Sequence, residues 1–242
     1  MRDRGRVTPA RRGQSSIIGV AVLVAVTVLS VGALTVTAGT FVEDGVAAAN
    51  TQRVADDLAR ISSDGDDLTR IEFSRGTLSV EPRTVRLLRG EGSVVTVEVD
   101  ALVYESRGRR VTYLNGALVD GRGNQSRMRG PTPVVVGSDR VLVDLVALNA
   151  SGPAGVGGTD ATAVTVRTRP THEYRTLETG QYAVAVETET PGAWERTFAD
   201  AGLTPSRRDF DGDGVPSVVG RVPDAAAVDL AVHDLRAVIR RG

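Results

Sequence analysis

The sequence contains no cysteine and no lysine, and it has only two histidines and one tryptophan. The absence of cysteine excludes disulfide bonds and thiolate metal sites, so the fold must depend on core packing and hydrogen bonding. The two histidines, His172 and His233, belong to no catalytic motif such as G-x-S-x-G or H-E-x-x-H. We therefore expect no enzyme activity, and we interpret both histidines as surface or capping residues.

The positive charge of the chain is concentrated at its beginning. Arginine supplies all 29 residues counted as lysine plus arginine, and the formal net charge is −1. Residues 1–13 carry a net charge of +4, which leaves −5 for the remainder. Because an acidic remainder lacks the extended basic surface that binds phosphate backbones, we expect no nucleic-acid partner.

An uncharged apolar run follows the basic segment, from Ile17 to Val42. As a helix it would be roughly 39 Å long, whereas the hydrocarbon core of a bilayer is about 30 Å thick. Arginines precede the run, and Glu43 and Asp44 follow it, which predicts a cytoplasmic N-terminus. We therefore expect a single-pass cell-membrane protein that spans the membrane at about residues 17–42 and has an extracellular C-terminal domain.

Small residues recur along this run at helical spacing, namely Ala21, Ala25, Gly32 and Gly39. Intervals of four and seven place them on one helix face, where a second helix can approach closely. A composition rich in alanine and glycine produces the same pattern. Helix packing and simple composition therefore both remain open.

The junction between the basic segment and the apolar run is R-G-Q-S-S-I-I-G-V, residues 12–20. This stretch resembles the class III signal of archaeal type IV prepilins, in particular that of haloarchaeal pilin-like proteins. In that family a prepilin peptidase cuts after a charged residue and a glycine, and the apolar helix stays on the product. The resemblance implies processing at Arg12, Gly13 and Gln14, with cleavage between Gly13 and Gln14.

Two residues depart from the pattern of that family. Ser16 stands where the haloarchaeal sequences usually carry proline, and Ile18 stands where many pilins carry glutamate. The resemblance covers residues 11–40. It implies a structural subunit or minor pilin of a type IV pilus-like surface filament, whose partners are the membrane, prepilin peptidase and other pilin-like subunits. The alternative is a monomeric membrane-anchored surface protein whose β-domain binds a ligand, a glycan or a partner.

The rest of the chain divides into a helix and a β-rich domain. An apolar stripe continues to Ile61, which predicts one long helix over residues 14–62 after a cleaved leader, residues 1–13. From residue 69 to 242, segments rich in valine, threonine and tyrosine alternate with glycine turns. The predicted fold class is therefore α+β: a long N-terminal membrane-spanning helix followed by a mainly antiparallel β ectodomain, either a sandwich or barrel-like. The expected strands are 77–80, 84–88, 93–104, 110–114, 134–136, 141–148, 161–168 and 182–188.

Two later segments carry helical patterns. Pro191 begins a short segment with Trp194 and Phe198 on one helix face, and we interpret Trp194 as a core anchor. Residues 224–240 carry a helical apolar stripe but also alternate like a closing strand. A helix is the favoured interpretation for that tail.

The stretch from residue 209 to 215 matches the first half of a calcium loop. Asp209, Asp211 and Asp213 alternate, and Gly214 follows the third carboxylate. A hard cation needs several oxygen ligands and a sharp backbone turn. The twelfth position of such a loop is Gly220, where calcium loops carry a bidentate glutamate. A solvated acidic turn is therefore favoured, calcium is the alternative, and no other cofactor is expected.

Two N-x-S/T sequons occur in predicted loops, at Asn124 and Asn149. The tripeptide arises often by chance, but surface-exposed sequons agree with an outward-facing domain. We therefore expect that the protein is glycosylated at these residues.

Overall fold

The computed structural model describes residues 44–61, 64–123, 125–137, 140–223 and 227–242. The chain divides into two compact units, Met1–Val46 and Ala47–Gly242, and nearly all described residues belong to the second. Several predicted features lie outside the described residues: the apolar run, Arg12, Gly13, Gln14, Ala21, Ala25, Gly32, Gly39 and Asn124.

The described residues form two helices and sixteen strands. The helices are α1 (44–58) and α2 (Pro191–Asp200). The strands are β1 (Asp67–Phe73), β2 (Gly76–Arg89), β3 (Gly92–Ser106), β4 (Arg109–Leu114), β5 (Ala117–Arg122), β6 (Gln125–Arg129), β7 (Val134–Val136), β8 (Arg140–Ala147), β9 (Gly155–Gly158), β10 (Thr162–Thr168), β11 (Thr171–Leu177), β12 (Tyr182–Glu187), β13 (Thr204–Arg208), β14 (Ser217–Arg221), β15 (Ala227–Asp234) and β16 (Val238–Arg241).

The strands form three sheets. The nine-stranded sheet has the order β13-β14-β12-β2-β3-β4-β5-β6, with β9 also paired to β2. The four-stranded sheet has the order β11-β15-β8-β7, and the three-stranded sheet has the order β1-β10-β16. Pairing is antiparallel throughout the ladders except between β15 and β8, which are parallel.

Strand β3 connects the two main cores because it is buried on both faces. Ala101 and Val103 join the first core, in which the nine-stranded and four-stranded sheets pack together with α2. Leu102 and Tyr104 point the other way and join the second core, with α1 and the three-stranded sheet. A strand buried on both faces has a continuous apolar sequence rather than an alternating one.

Helix α2 confirms the prediction for the segment after Pro191. Trp194 and Phe198 are fully buried, and their rings meet edge to face with centroids 5.8 Å apart. Trp194 is therefore a core anchor, as its position on the helix predicted. Its ring lies in the first core together with residues of the two larger sheets.

The prediction of a helical tail is wrong. The residues described after position 226 form β15 and β16 instead. Strand β15 pairs with β11 on one side and β8 on the other, and its alternate residues Val228 and Leu230 enter the first core. Pairing along both edges satisfies its backbone and fixes a period of two, which outweighs the helical stripe in the sequence.

The fold-class prediction is also wrong in its helical part. The described part of α1, residues 44–58, includes the charged residues Arg53, Asp56 and Asp57. In the ranges that the structure describes, no helix is long and apolar enough to cross a membrane. The predicted membrane-spanning helix, single-pass membrane location and extracellular orientation are corrected accordingly: the described fold is a mainly antiparallel β structure with two short helices.

Candidate functional site

A groove of about 440 Å³ lies on the nine-stranded sheet where β2, β12, β13 and β14 meet. Its floor contains Leu88 and Ala183, which are cross-strand partners and form a small apolar cluster. Their neighbours Leu87 and Val184 point to the opposite face, into the first core. The groove is therefore on the outer face of the sheet.

An aromatic ring held between two arginines forms one end of this groove. The guanidinium carbon of Arg86 lies 4.8 Å from the centroid of the Phe210 ring, and that of Arg208 lies 4.6 Å from it. Contacts of this kind are attractive because the ring face is electron-rich. Arg208 is half-exposed and lines the groove, where its Nη1 lies 3.6 Å from a carboxylate oxygen of the exposed Glu91.

The second arginine of this arrangement is nearly buried and faces acidic groups. Arg86 lies 4.0 Å from a carboxylate oxygen of Glu187 and 3.8 Å from one of Asp211. Burial raises the pKa of the Glu187 carboxyl, and the nearby charge of Asp211 raises it further. Nη1 of Arg86 is buried and has no hydrogen-bond partner among the described residues. The acidic loop is therefore linked to the sheet by electrostatic attraction between Asp211 and Nη2 of Arg86.

The predicted acidic cluster exists, and its carboxylates lie close together. Oxygens of Asp209, Asp211 and Asp213 lie within 4.8 Å of one another on the exposed surface. Both carboxylate oxygens of Asp209 already accept backbone hydrogen bonds, from Gly212 at 2.8 Å and Gly214 at 3.2 Å. These bonds lower the pKa of the Asp209 carboxyl. The geometry matches an acidic turn closed by its own backbone, and calcium binding stays a prediction.

Arg207 also lines the groove, and its guanidinium group already forms an ion pair. Its Nε and Nη2 atoms donate to the two carboxylate oxygens of Glu195 at 2.5 and 2.7 Å. The hydrogen bonds from Arg207 lower the pKa of the Glu195 carboxyl. Arg208 and Arg221 also line the groove. An apolar floor with guanidinium groups along its edge suits the binding of an anionic or flat polar group.

Comparison with known proteins places the chain in a family. A family profile described as "Family of unknown function (DUF7289)" matches residues 12–238. The chain belongs to the DUF7289 family. No curated protein and no solved structure matches it. The matched range includes the groove, the acidic loop and the R-G-Q junction at residues 12–14.

The described sequon of this DUF7289 chain lies just after β8. Asn149 is exposed and has a left-handed backbone, with φ of 45°, a conformation that asparagine tolerates better than most residues. Its Nδ2 donates to Asp234 Oδ1 at 2.8 Å. A glycan on Nδ2 would have to compete with this hydrogen bond. Glycosylation at Asn124 and Asn149 remains a prediction.

The groove of the DUF7289 chain was missed in the sequence because its residues come from four separate strands. Leu88 and Ala183 are adjacent only because β2 and β12 pair. Arg207 and Arg208, followed directly by Asp209 and Phe210, were the one local pattern that hinted at it. Short charged and aromatic runs of that kind are too common to identify a groove on their own.

Proposed function

We propose that this chain is a structural subunit or minor pilin of a type IV pilus-like surface filament, processed by a prepilin peptidase between Gly13 and Gln14. The observation that carries the proposal is the stretch R-G-Q-S-S-I-I-G-V at residues 12–20. Arg12 and Gly13, followed within a few residues by the apolar run, resemble the charged residue and glycine of a class III prepilin signal. The role proposed is structural rather than catalytic.

The attachment of α1 to the β domain supports this proposal. Val54, Ala55 and Leu58 are buried in the second core, against β1 and β3. In the proposed filament, neighbouring subunits would hold the N-terminal part of each subunit. A mechanical force on the filament would then pass through the following helix into the outer domain. A helix with one face fully packed on a sheet can transmit such a load without coming loose.

Two polar side chains reinforce the same junction. Asn50 Nδ2 donates to the Tyr104 hydroxyl, and Asn50 Oδ1 accepts from the Ser74 backbone N–H at 3.2 Å. Two turns later, Asp57 Oδ2 accepts from the Glu72 backbone N–H at 3.3 Å. Both side chains are buried or nearly so, where hydrogen bonds fix orientation as well as position. Helix α1 is therefore held in one rotational setting on the sheet.

Processing can be tested with a matched pair of substitutions in the leader. In cells that contain a prepilin peptidase, Gly13→Phe should leave a precursor heavier by residues 1–13, because a bulky side chain blocks the cut. Gly5→Phe makes the same change away from the junction and should leave the mature mass unchanged. Equal mature masses for wild type and Gly13→Phe would refute processing at this site.

Assembly needs its own measurement, since processing alone does not prove that a filament forms. We expect the mature chain to appear in filaments sheared from the cell surface, and Gly13→Phe to remove it from that fraction. Processed protein that never enters the sheared fraction would contradict the filament role.

The groove favours one second candidate, a surface protein whose β-domain binds a ligand. Arg208 and Phe210 would supply charge and a flat surface, and Leu88 an apolar floor. In that case the chain should remain monomeric, and Arg208→Ala should weaken binding to acidic glycans on an array at least tenfold. Glu195→Gln, which removes the carboxylate partner of Arg207 and leaves Arg208 unchanged, should not weaken it. Arg208→Ala binding as tightly as wild type would eliminate this candidate.

A further inference from the structure

The two histidines of the chain, 61 residues apart, are neighbours in the four-stranded sheet. His172 of β11 and His233 of β15 are directly paired in the antiparallel ladder. Their Nδ1 atoms are 2.6 Å apart, and the ring centroids are 4.8 Å apart at an angle of 72°. At this distance the two rings are hydrogen-bonded through Nδ1, and a metal ion bound by both atoms would take the place of the bridging proton.

A carboxylate lies behind the second histidine. Asp144 of β8 is on the strand parallel to β15, and its Oδ1 is 3.0 Å from His233 Nε2. This oxygen is buried, and its contact with His233 does not meet hydrogen-bond geometry, so the two groups interact through their charges. A carboxylate on the far nitrogen orients an imidazole and makes its other nitrogen a better metal ligand.

The three groups form a row across three adjacent strands, from an exposed edge inward. The imidazole of His172 is exposed, whereas the side chain of His233 is only 12% exposed. Tyr174, two residues after His172 on the same face, packs edge-on to the His233 ring at 6.0 Å. His233 is therefore held in place by its neighbours, and the open side of the pair faces solvent.

We propose that His172 and His233 bind a divalent copper ion through their Nδ1 atoms, with Asp144 as a positioning residue for His233. Imidazole is a preferred ligand of the later first-row metals, and Cu²⁺ binds most tightly among them. Water completes the coordination on the exposed side. This proposal is independent of the filament role.

The spacing of the two nitrogens is closer to that of a square-planar site than to that of a tetrahedral site. With metal–nitrogen bonds of about 2.0–2.1 Å, adjacent nitrogens are roughly 2.9 Å apart in a square plane and roughly 3.4 Å apart in a tetrahedron. The observed 2.6 Å is about 0.3 Å below the first value and about 0.8 Å below the second, so the rings must move apart less for a square plane. Square-planar Cu²⁺ therefore fits the pair better than tetrahedral Zn²⁺.

The test is a Cu²⁺ titration of the metal-free full-length chain, followed by calorimetry and electron paramagnetic resonance. We expect one site whose spectrum shows coupling to two imidazole nitrogens, and weaker binding of Zn²⁺. His172→Ala should weaken Cu²⁺ binding at least tenfold and leave one coupled nitrogen. Because His172 is exposed, this variant should fold, even where His233→Ala does not.

Two further variants separate the roles. Asp144→Asn should weaken Cu²⁺ binding about 10-fold or more while the spectrum still shows two nitrogens, as expected for a residue that acts through its neighbour. Asp200→Asn, at the exposed end of α2, is the matched control and should change nothing. Absence of Cu²⁺ binding to the wild type, or the same spectrum and affinity in His172→Ala, would overturn the proposal.

Discussion

Replacing Leu58 with alanine should destabilise the protein strongly, because this side chain fixes α1 to the sheet. Leu58 is fully buried in the second core. Losing its three outer carbons removes about 2.4 kcal/mol of transfer free energy, at about 0.8 kcal/mol per carbon. The cavity that remains adds a further cost, so Leu58→Ala should lower the free energy of unfolding by about 3–5 kcal/mol.

The sequence supplies a matched control for this change. Leu68, in β1, is 53% exposed, so Leu68→Ala loses only about half of the transfer term and leaves no cavity. We expect a loss of about 1 kcal/mol or less. The two variants thus make the same chemical change ten residues apart.

Urea denaturation of the full-length chain, followed by circular dichroism, measures both free energies of unfolding. At about 2–4 °C per kcal/mol for a chain of this size, the melting temperature should fall by roughly 10 °C in Leu58→Ala. A similar loss in the two variants would refute the reasoning, since it would mean that α1 is not anchored through its buried face.

Three further predictions follow from single contacts. An alanine Cβ at Gly220 would lie 2.6 Å from Phe198 Cδ2, so Gly220→Ala should lower the free energy of unfolding in urea by about 1–3 kcal/mol. Gly65 has open space around it, so Gly65→Ala should leave that free energy nearly unchanged. Backbone hydrogen bonds lower the pKa of the Asp209 carboxyl, so this group should stay ionised at a lower pH than an ordinary aspartate. The stability that it contributes is present above its unfolded pKa and is lost as the pH falls through its folded pKa. A carbon-13 NMR titration that shows an ordinary or raised pKa would contradict this. Intact mass should show a glycan that Asn149→Gln removes; a wild-type mass equal to that of the unmodified chain would exclude glycosylation.

Several strands could be predicted because they alternate or are rich in β-branched residues. The expected segments 110–114 and 182–188 match β4 and β12 to within a residue at each end. Strand β2 was expected as two strands separated near Pro82, but it is continuous. One edge of β2 pairs with β9 up to Ser79 and with β12 from Val85, and Pro82 falls in the gap between them. A residue without a backbone N–H is tolerated there.

Other strands carry too little pattern to be predicted. All residues of β11 except Leu177 are exposed, so no apolar face marks this strand. It is a strand because β15 pairs with it along its whole length. The tail shows the same effect, since a segment compatible with helix and strand took the conformation that its neighbours could pair with.

By itself, the sequence determined the absence of disulfides, the basic N-terminal segment, the R-G-Q junction at residues 12–14 and the predominance of β structure after residue 69. These properties depend on residue type and local order. Only the tertiary structure decided that β15 closes the four-stranded sheet, that Leu88 and Ala183 share a groove floor, and that His172 faces His233. Strand pairing and register determine which residues become cross-strand neighbours. Both depend on the burial of the two strands together, so the sequence of one strand alone does not determine them.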